Sequence, residues 1–300
     1  MILYSIPELK YLIRDLKKYS TNHYLILGKS QFSQFINGEW HAKILENVSD
    51  KECAILGSLT PPTEQLLKTL ILIHTLKKEG AKRIVLVLPY FAYTRHDKNK
   101  KNESLVTDLI YKLLTSVGVD KIITVDIHSR PNITFTKIPI LNVLATELFL
   151  DSLTKNDLKN ITIIAPDEGA KERSADFRKT AGITKQIAYF KKIRTNNKIR
   201  HTKLVGKISD SVILIDDILD TGFTLISCVK LLKKLGVKKI IIAVTHGLFM
   251  GEQWDYLFQL GVSKIITTDS VATVLNIKNK KIKVISCAPL LAKALKPKIL

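Results

Sequence analysis

Cysteine is too sparse and too scattered in this chain to build a disulfide framework. Cys53, Cys228 and Cys287 are odd in number and each lies in an apolar stretch, which fits reduced, buried thiols. No apolar run approaches the ~20 residues that a membrane helix needs. Nor does the start, Met1 to Pro7, combine a basic stretch with an apolar core as a secretory leader does. A cytoplasmic protein without membrane association is therefore expected. No two glycines take the spacing of a G-x-G-x-x-G dinucleotide fingerprint. Gly28-Lys29-Ser30 imitates the end of a P-loop, but His23 stands where the first glycine belongs, so a plain turn is expected there. Arginine is also scarce, although the net charge is +20. The excess is lysine, spread in pairs such as Lys17-Lys18, Lys77-Lys78 and Lys238-Lys239. Arginine is the better bidentate reader of phosphate and guanine, so this pattern fits a solvated surface rather than a nucleic-acid interface.

What is present is a regular alternation of short Val/Ile-rich runs and helical patterns. Strands are predicted at 24–27, 53–57, 83–88, 121–125, 161–165, 187–191, 212–215, 239–244, 264–267 and 282–286. Helices are predicted at 65–78, 104–116 and 223–235, among others. Such alternation implies parallel sheets covered on both faces. The pattern runs once to about residue 142 and then repeats. The fold class expected is therefore α/β, with two similar doubly wound parallel-sheet domains. These are 1–142, and 143–300 with its last ~15 residues able to pack back on the first. Ligands in such folds sit beyond the carboxyl ends of strands.

The most telling segment is V-I-L-I-D-D-I-L-D-T-G-F-T, from Val212 to Thr224. An apolar strand ends in Asp216 and Asp217, and a turn carrying Asp220, Thr221, Gly222, Phe223 and Thr224 opens onto a helix. Unpaired backbone amides, hydroxyls and the positive end of the helix dipole make such a turn a phosphate cradle. The carboxylates before it can accept hydrogen bonds from vicinal hydroxyls or hold Mg²⁺ through water. Simple helix capping explains one or two of these residues but not the whole string. The string resembles the phosphoribosyl pyrophosphate loop shared by phosphoribosyltransferases and ribose-phosphate pyrophosphokinases.

Two ATP-side motifs, with the duplicated α/β plan, select the pyrophosphokinase family, and further motifs accompany them. P-Y-F-A-Y-T-R-H-D, residues 89–97, resembles that family's P-Y-x-x-Y-x-R-Q-D, which implies ATP contacts from Arg95 and His96. F-I-N-G-E resembles F-x-D-G-E, a loop that holds adenine from a neighbouring subunit. By that resemblance Phe35 stacks on the purine, while Asn37, Gly38 and Glu39 complete the contact. Asn37 replaces the usual Asp and His96 the usual Gln, which puts nucleotide selectivity in doubt. Asp126-Ile127-His128 resembles D-L-H, and Ala165 to Ala170 resembles S-P-D-x-G-G, so the resemblance makes His128 and Asp167 the Mg²⁺ contacts. Lys192 and Arg194, read as lying just after a strand, resemble the flexible catalytic loop whose Lys and Arg stabilise transferring phosphate. Thr245-His246-Gly247 matches T-H-G and is read as structural or site-lining.

The resemblance spans about residues 24 to 295. It implies transfer of pyrophosphate from MgATP to the C1 hydroxyl of ribose 5-phosphate, giving phosphoribosyl pyrophosphate and AMP. It also implies a homo-oligomer, a dimer or a hexamer built of dimers. A non-catalytic regulatory paralogue and a phosphoribosyltransferase stand as alternatives. The first is favoured by Asn37, His96 and an altered segment at 132–142; the second would need no ATP.

Overall fold

The computed structural model describes residues 1–20, 24–95, 97, 101–129, 136–195 and 198–296, with the side chains of 192–202 excepted. Two compact units divide the chain: Met1–Val143 together with the segment from Ser286 onward, and Leu144–Ile285.

The first unit is built on strands β1 (Ile2–Ser5), β2 (Ile26–Leu27), β5 (Glu52–Leu56), β6 (Arg83–Leu88), β7 (Lys121–Val125) and β8 (Ile140–Val143), with a hairpin of β3 (Ser30–Gln34) and β4 (Trp40–Ile44). The main sheet runs β2-β1-β5-β6-β7-β8 with every pair parallel. Helices α1 (Lys10–Tyr19), α2 (Glu64–Lys78), α3 (Val106–Ser116) and a C-terminal helix (Ala288–Leu295) belong to this unit. Burial on both faces explains why β6 reads R-I-V-L-V-L and β5 ends in a wholly buried C-A-I-L. The C-terminal helix packs on α1, and Tyr24 Oη donates to the Ala292 carbonyl.

The second unit holds β9 (Thr162–Ala165), β10 (Ala188–Thr195), β11 (Lys198–Val205), β12 (Ser211–Leu219), β13 (Lys239–Gly247), β14 (Val262–Thr268) and β15 (Ile282–Ile285). Its helices are α4 (Thr146–Asp151), α5 (Lys155–Leu158), α6 (Lys171–Thr180), α7 (Phe223–Lys234) and α8 (Tyr256–Gln259). Its sheet runs β11-β10-β9-β12-β13-β14-β15, parallel except for the antiparallel β10–β11 pair. The core lies between β9, β12, β13 and β14 and the apolar face of α7, whose Leu225, Cys228, Val229 and Leu232 are buried. Both units are thus doubly wound parallel α/β layers, as the strand–helix alternation predicts. No helix among the described residues is long and apolar enough to cross a membrane.

Several elements differ from the sequence expectation. β1 was not expected, because Pro7 follows it at once and Ile2–Ser5 is only four residues long. β3 and β4 carry mixed polar residues that show no clean alternation, and they form a small two-stranded hairpin outside the main sheet. The strand expected to end at Ile215 continues to Leu219, so Asp216 and Asp217 lie within it. Likewise β10 runs to Thr195, so Lys192 and Arg194 lie within a strand rather than after one. Their backbone pairs with His201 and Ile199 of β11.

Candidate active site

In the first unit two loops at the carboxyl ends of neighbouring strands carry the candidate residues. The loop after β6 is anchored by Phe91, which meets Tyr111 of α3 edge-on at 5.5 Å. Thr107 Oγ1 donates to the Tyr93 carbonyl at 2.7 Å, and Thr94 Oγ1 donates to the Phe91 carbonyl at 3.1 Å. These bonds hold the backbone just before Arg95, which is exposed. His96 lies outside the described residues. After β7, the Asp126 amide donates to the Val143 carbonyl and the Ile127 amide to Asn142 Oδ1, both at 2.9 Å. Asn142 therefore shapes the turn that presents His128 at the surface. Ser129 Oγ donates to the Thr94 carbonyl at 2.9 Å, so the loops bearing Arg95 and His128 are joined.

Phe35, Ile36, Asn37, Gly38 and Glu39 form the tip of the β3–β4 hairpin. Phe35 and Glu39 are bridged by a backbone bond of 2.9 Å, and the Gly38 amide donates to the Phe35 carbonyl at 2.9 Å. Gly38 takes φ +94°, which an L side chain rarely adopts. Asn37 Oδ1 accepts the Glu39 amide at 3.2 Å, a role that Asp fills equally well, so the Asn preserves the turn while removing a charge. The Phe35 ring is 59% exposed and leans on His41 at 5.1 Å. The hairpin packs on α2, where Lys68 Nζ stands 3.8 Å from the Trp40 ring centroid and pairs with Glu8 at 2.5 Å.

In the second unit, Asp216 and Asp217 alternate across β12 and so serve different neighbours. Asp217 is buried, and its Oδ1 lies 3.1 Å from Nη1 of Arg173 on α6. That nitrogen lies within ion-pair range yet has no well-directed hydrogen bond, because the angle is poor. The Asp216 carboxylate accepts the Asp217 amide at 3.0 Å. Burial, then the Asp217 charge, push the Asp216 carboxyl well above the usual range; Asp167 adds to this, and Arg173 opposes it. Asp167 follows β9, and its Oδ1 accepts the Ala170 amide at 3.0 Å at the start of α6. Asp216 and Asp217 are thus neighbours in charge, and Asp167 adds a weaker influence on Asp216.

Beyond β12, Asp220 and Thr221 lead into Gly222, the N-cap of α7. Its φ of +86° and a Cβ position only 3.0 Å from Trp254 Cα exclude a side chain. The N-cap glycine brings no side chain of its own to this helix, and no acidic residue occupies its first turn. The start of α7, with its backbone amides and positive dipole end, has the geometry that suits phosphate. The loop is tied to the strand end beside it by Met250, whose amide donates to the Asp220 carbonyl at 3.2 Å. Phe223 is largely exposed, and Thr224 is half-buried. Lys192 and Arg194 are placed by backbone only, on β10. Thr245 and His246 are buried; His246 Nδ1 shares a 2.8 Å hydrogen bond with Ser270 Oγ, so that motif is structural. Arg173 escaped the sequence reading. Its signal was an arginine six residues after Asp167, which a helix starting at Lys171 carries back toward β12.

Among the described residues no group of three or more His, Cys, Asp or Glu side chains is arranged to cage a metal ion. The half-buried Asp167 carboxylate nonetheless suits a hard divalent cation of the Mg²⁺ kind. Such an ion takes one or two carboxylates and completes its shell with water and substrate phosphate.

Comparison with known proteins agrees with this geometry. Residues 2–118 match the family model described as the N-terminal domain of ribose phosphate pyrophosphokinase, and residues 134–255 match the phosphoribosyl transferase domain. A ribose-phosphate pyrophosphokinase of Corynebacterium glutamicum is 32% identical over 268 residues, 87% of this chain and 82% of that protein. One from Haemophilus ducreyi is 29% identical over 286 residues, covering 93% and 90%. The crystal structure of phosphoribosylpyrophosphate synthetase from Mycobacterium smegmatis superposes with a TM-score of 0.87 at 28% identity, covering 98% of this chain and 96% of that one.

Proposed function

The chain belongs to the ribose-phosphate pyrophosphokinase family, and from that membership we propose which of its residues carry each part of the reaction. The enzyme transfers pyrophosphate from ATP to ribose 5-phosphate. The C1 hydroxyl oxygen of the sugar forms a bond to the β-phosphorus, the bond from that phosphorus to the bridging α-oxygen breaks, AMP departs with the electron pair, and the hydroxyl proton is released to solvent. No nucleophilic side chain is needed, because such transfer relies on positioning and on stabilising charge.

The observation that best supports the sugar assignment is the glycine-led start of α7, directly after the strand that carries Asp216. Thr221, Gly222, Phe223 and Thr224 receive the 5-phosphate on backbone amides and hydroxyls, with Asp220 closing the loop. Asp216 accepts hydrogen bonds from the ribose hydroxyls, and Asp217 supports it from within the strand. In the first unit, Arg95 and His96 contact the triphosphate, while Phe35, Asn37, Gly38 and Glu39 hold adenine. Lys192 and Arg194 neutralise charge that develops on the transferring group. The family resemblance gives a Mg²⁺ contact to His128 in the first unit and, separately, to Asp167 in the second; Mg²⁺ when bound would draw charge from the phosphate oxygens. A base held by an exposed hairpin tip, with Phe35 and the fully exposed Ile36 on it, favours a homo-oligomer in which a second copy covers that tip.

Incubation of the purified protein with MgATP and ribose 5-phosphate tests the reaction. Phosphoribosyl pyrophosphate and AMP should appear one to one by ³¹P resonance. Release of ADP with a ribose bisphosphate would overturn it.

A further inference from the structure

Arg173 lies outside the sugar-contacting residues, yet its position is tied to them. It projects from α6, one turn after the Asp167 loop, and most of its side chain is buried. Its guanidinium stands 3.1 Å from Asp217, whose carboxylate is 6% exposed. The Asp217 amide is in turn the donor that holds the Asp216 carboxylate. A chain of contacts therefore runs Arg173, Asp217, Asp216. Two carboxylates on consecutive residues of a buried strand end repel each other strongly unless a counter-charge offsets them.

We propose that Arg173 is a positioning residue for sugar binding: through its ion pair it fixes Asp217, and with it the orientation of the Asp216 carboxylate toward the ribose hydroxyls. This deepens the ribose assignment of Asp216 and rests on it. Arginine suits the place because a rigid, permanently charged fork keeps its geometry when buried, whereas lysine offers only a flexible point charge. Removing it takes the guanidinium charge away from the buried Asp217 carboxylate, and β12 must shift locally or draw a proton in response. Either response moves Asp216.

Four proteins decide the matter: wild type, Arg173→Met, Arg173→Lys, and the double variant Arg173→Met/Asp217→Asn. Arg173→Met should raise the ribose 5-phosphate KM by about tenfold to a hundredfold, the span expected when neighbours in one ion-pair network couple, with the ATP KM little changed. Arg173→Lys should recover part of that loss. The double variant lacks the buried Asp217 charge that Arg173 offsets, so it should melt at a higher temperature than Arg173→Met and bind the sugar more tightly. Equal rises in both Michaelis constants would reduce Arg173 to a general structural role. A double variant no better than Arg173→Met, in melting and in sugar affinity, would overturn the ion-pair chain. If Arg173→Met does not fold, the comparison of Arg173→Lys with the double variant makes the same distinction. Failure of the ribose assignment itself would look different: Asp216→Ala would then keep the wild-type sugar KM, whatever Arg173 variants do.

Discussion

Asp216 lives under opposed demands. The sugar-binding role proposed for it needs its carboxylate ionised, while burial first and the Asp217 charge second favour the protonated form in the folded chain. Below about pH 4, the ordinary Asp range, both folded and unfolded chains hold the proton and nothing is lost. As pH rises, the unfolded chain releases it while the folded chain resists, so stability falls until the raised pKa is passed. Asp216→Asn should therefore melt at a higher temperature than wild type at pH 8 without ligands, with the advantage shrinking toward pH 4. The same substitution should raise the ribose 5-phosphate KM. A variant that melts lower than wild type at pH 8 would show that the Asp216 charge is already compensated. Mg²⁺ and sugar are the compensation expected in the working enzyme, which is why a strained residue is retained here.

At the scale of elements, two features separate what a sequence displays from what it conceals. The uniformly apolar strands β6, β7, β9 and β13 were legible because both their faces are buried, and each carries its loop to the carboxyl edge. The β3–β4 hairpin, the second half of β10 and the whole of β11 were not legible, since their residues are largely polar and their pairing depends on register with a partner. For Lys192 the difference matters, because a strand restrains the backbone where a flexible loop would leave it free. Lys192→Ala should lower turnover by about 10²–10³ with much less effect on the ATP KM, as removal of one preorganised donor does. Unchanged turnover would take Lys192 out of the chemistry. At the opposite edge of the second unit, Asp157 caps α5 through Thr154 and binds Lys239 at 2.8 Å and Lys264 at 3.1 Å. Burial works against its charge, but bonds from Lys239, Thr154 and Lys264 outweigh it and hold the carboxyl well below its ordinary pKa. That stabilisation is present above about pH 4 and is lost as pH falls through the lowered value. Asp157→Ala should cost more than the ~1 kcal/mol of an exposed pair and less than the ~3–5 kcal/mol of a fully buried one at pH 7, because both lysines keep some solvent. Urea unfolding at pH 7 and pH 3 checks it: an equal loss at both values would assign the effect to packing instead of charge.

Across the whole molecule the +20 charge has to be reconciled with a specific site for two anions. Described ion pairs engage lysines throughout both units, among them Lys68, Lys77, Lys82 and Lys112 in the first and Lys171, Lys238, Lys239 and Lys264 in the second. Pairing of this kind makes the surface a mosaic, yet the sum remains positive, and a positive field draws phosphorylated substrates toward the protein before any contact forms. The field acts on encounter, whereas the chemical step takes place among fixed, partly buried groups that salt screens much less. At constant free Mg²⁺, raising the ionic strength from about 0.01 M to about 0.15 M shortens the screening length from about 30 Å to about 8 Å. Over that interval kcat/KM should fall severalfold for ATP and for ribose 5-phosphate alike, while kcat at saturation stays within about twofold. A kcat that falls in step with kcat/KM would place the salt-sensitive charges inside the reaction itself. A kcat/KM indifferent to salt would mean that the excess lysine serves solubility and has no part in gathering substrate.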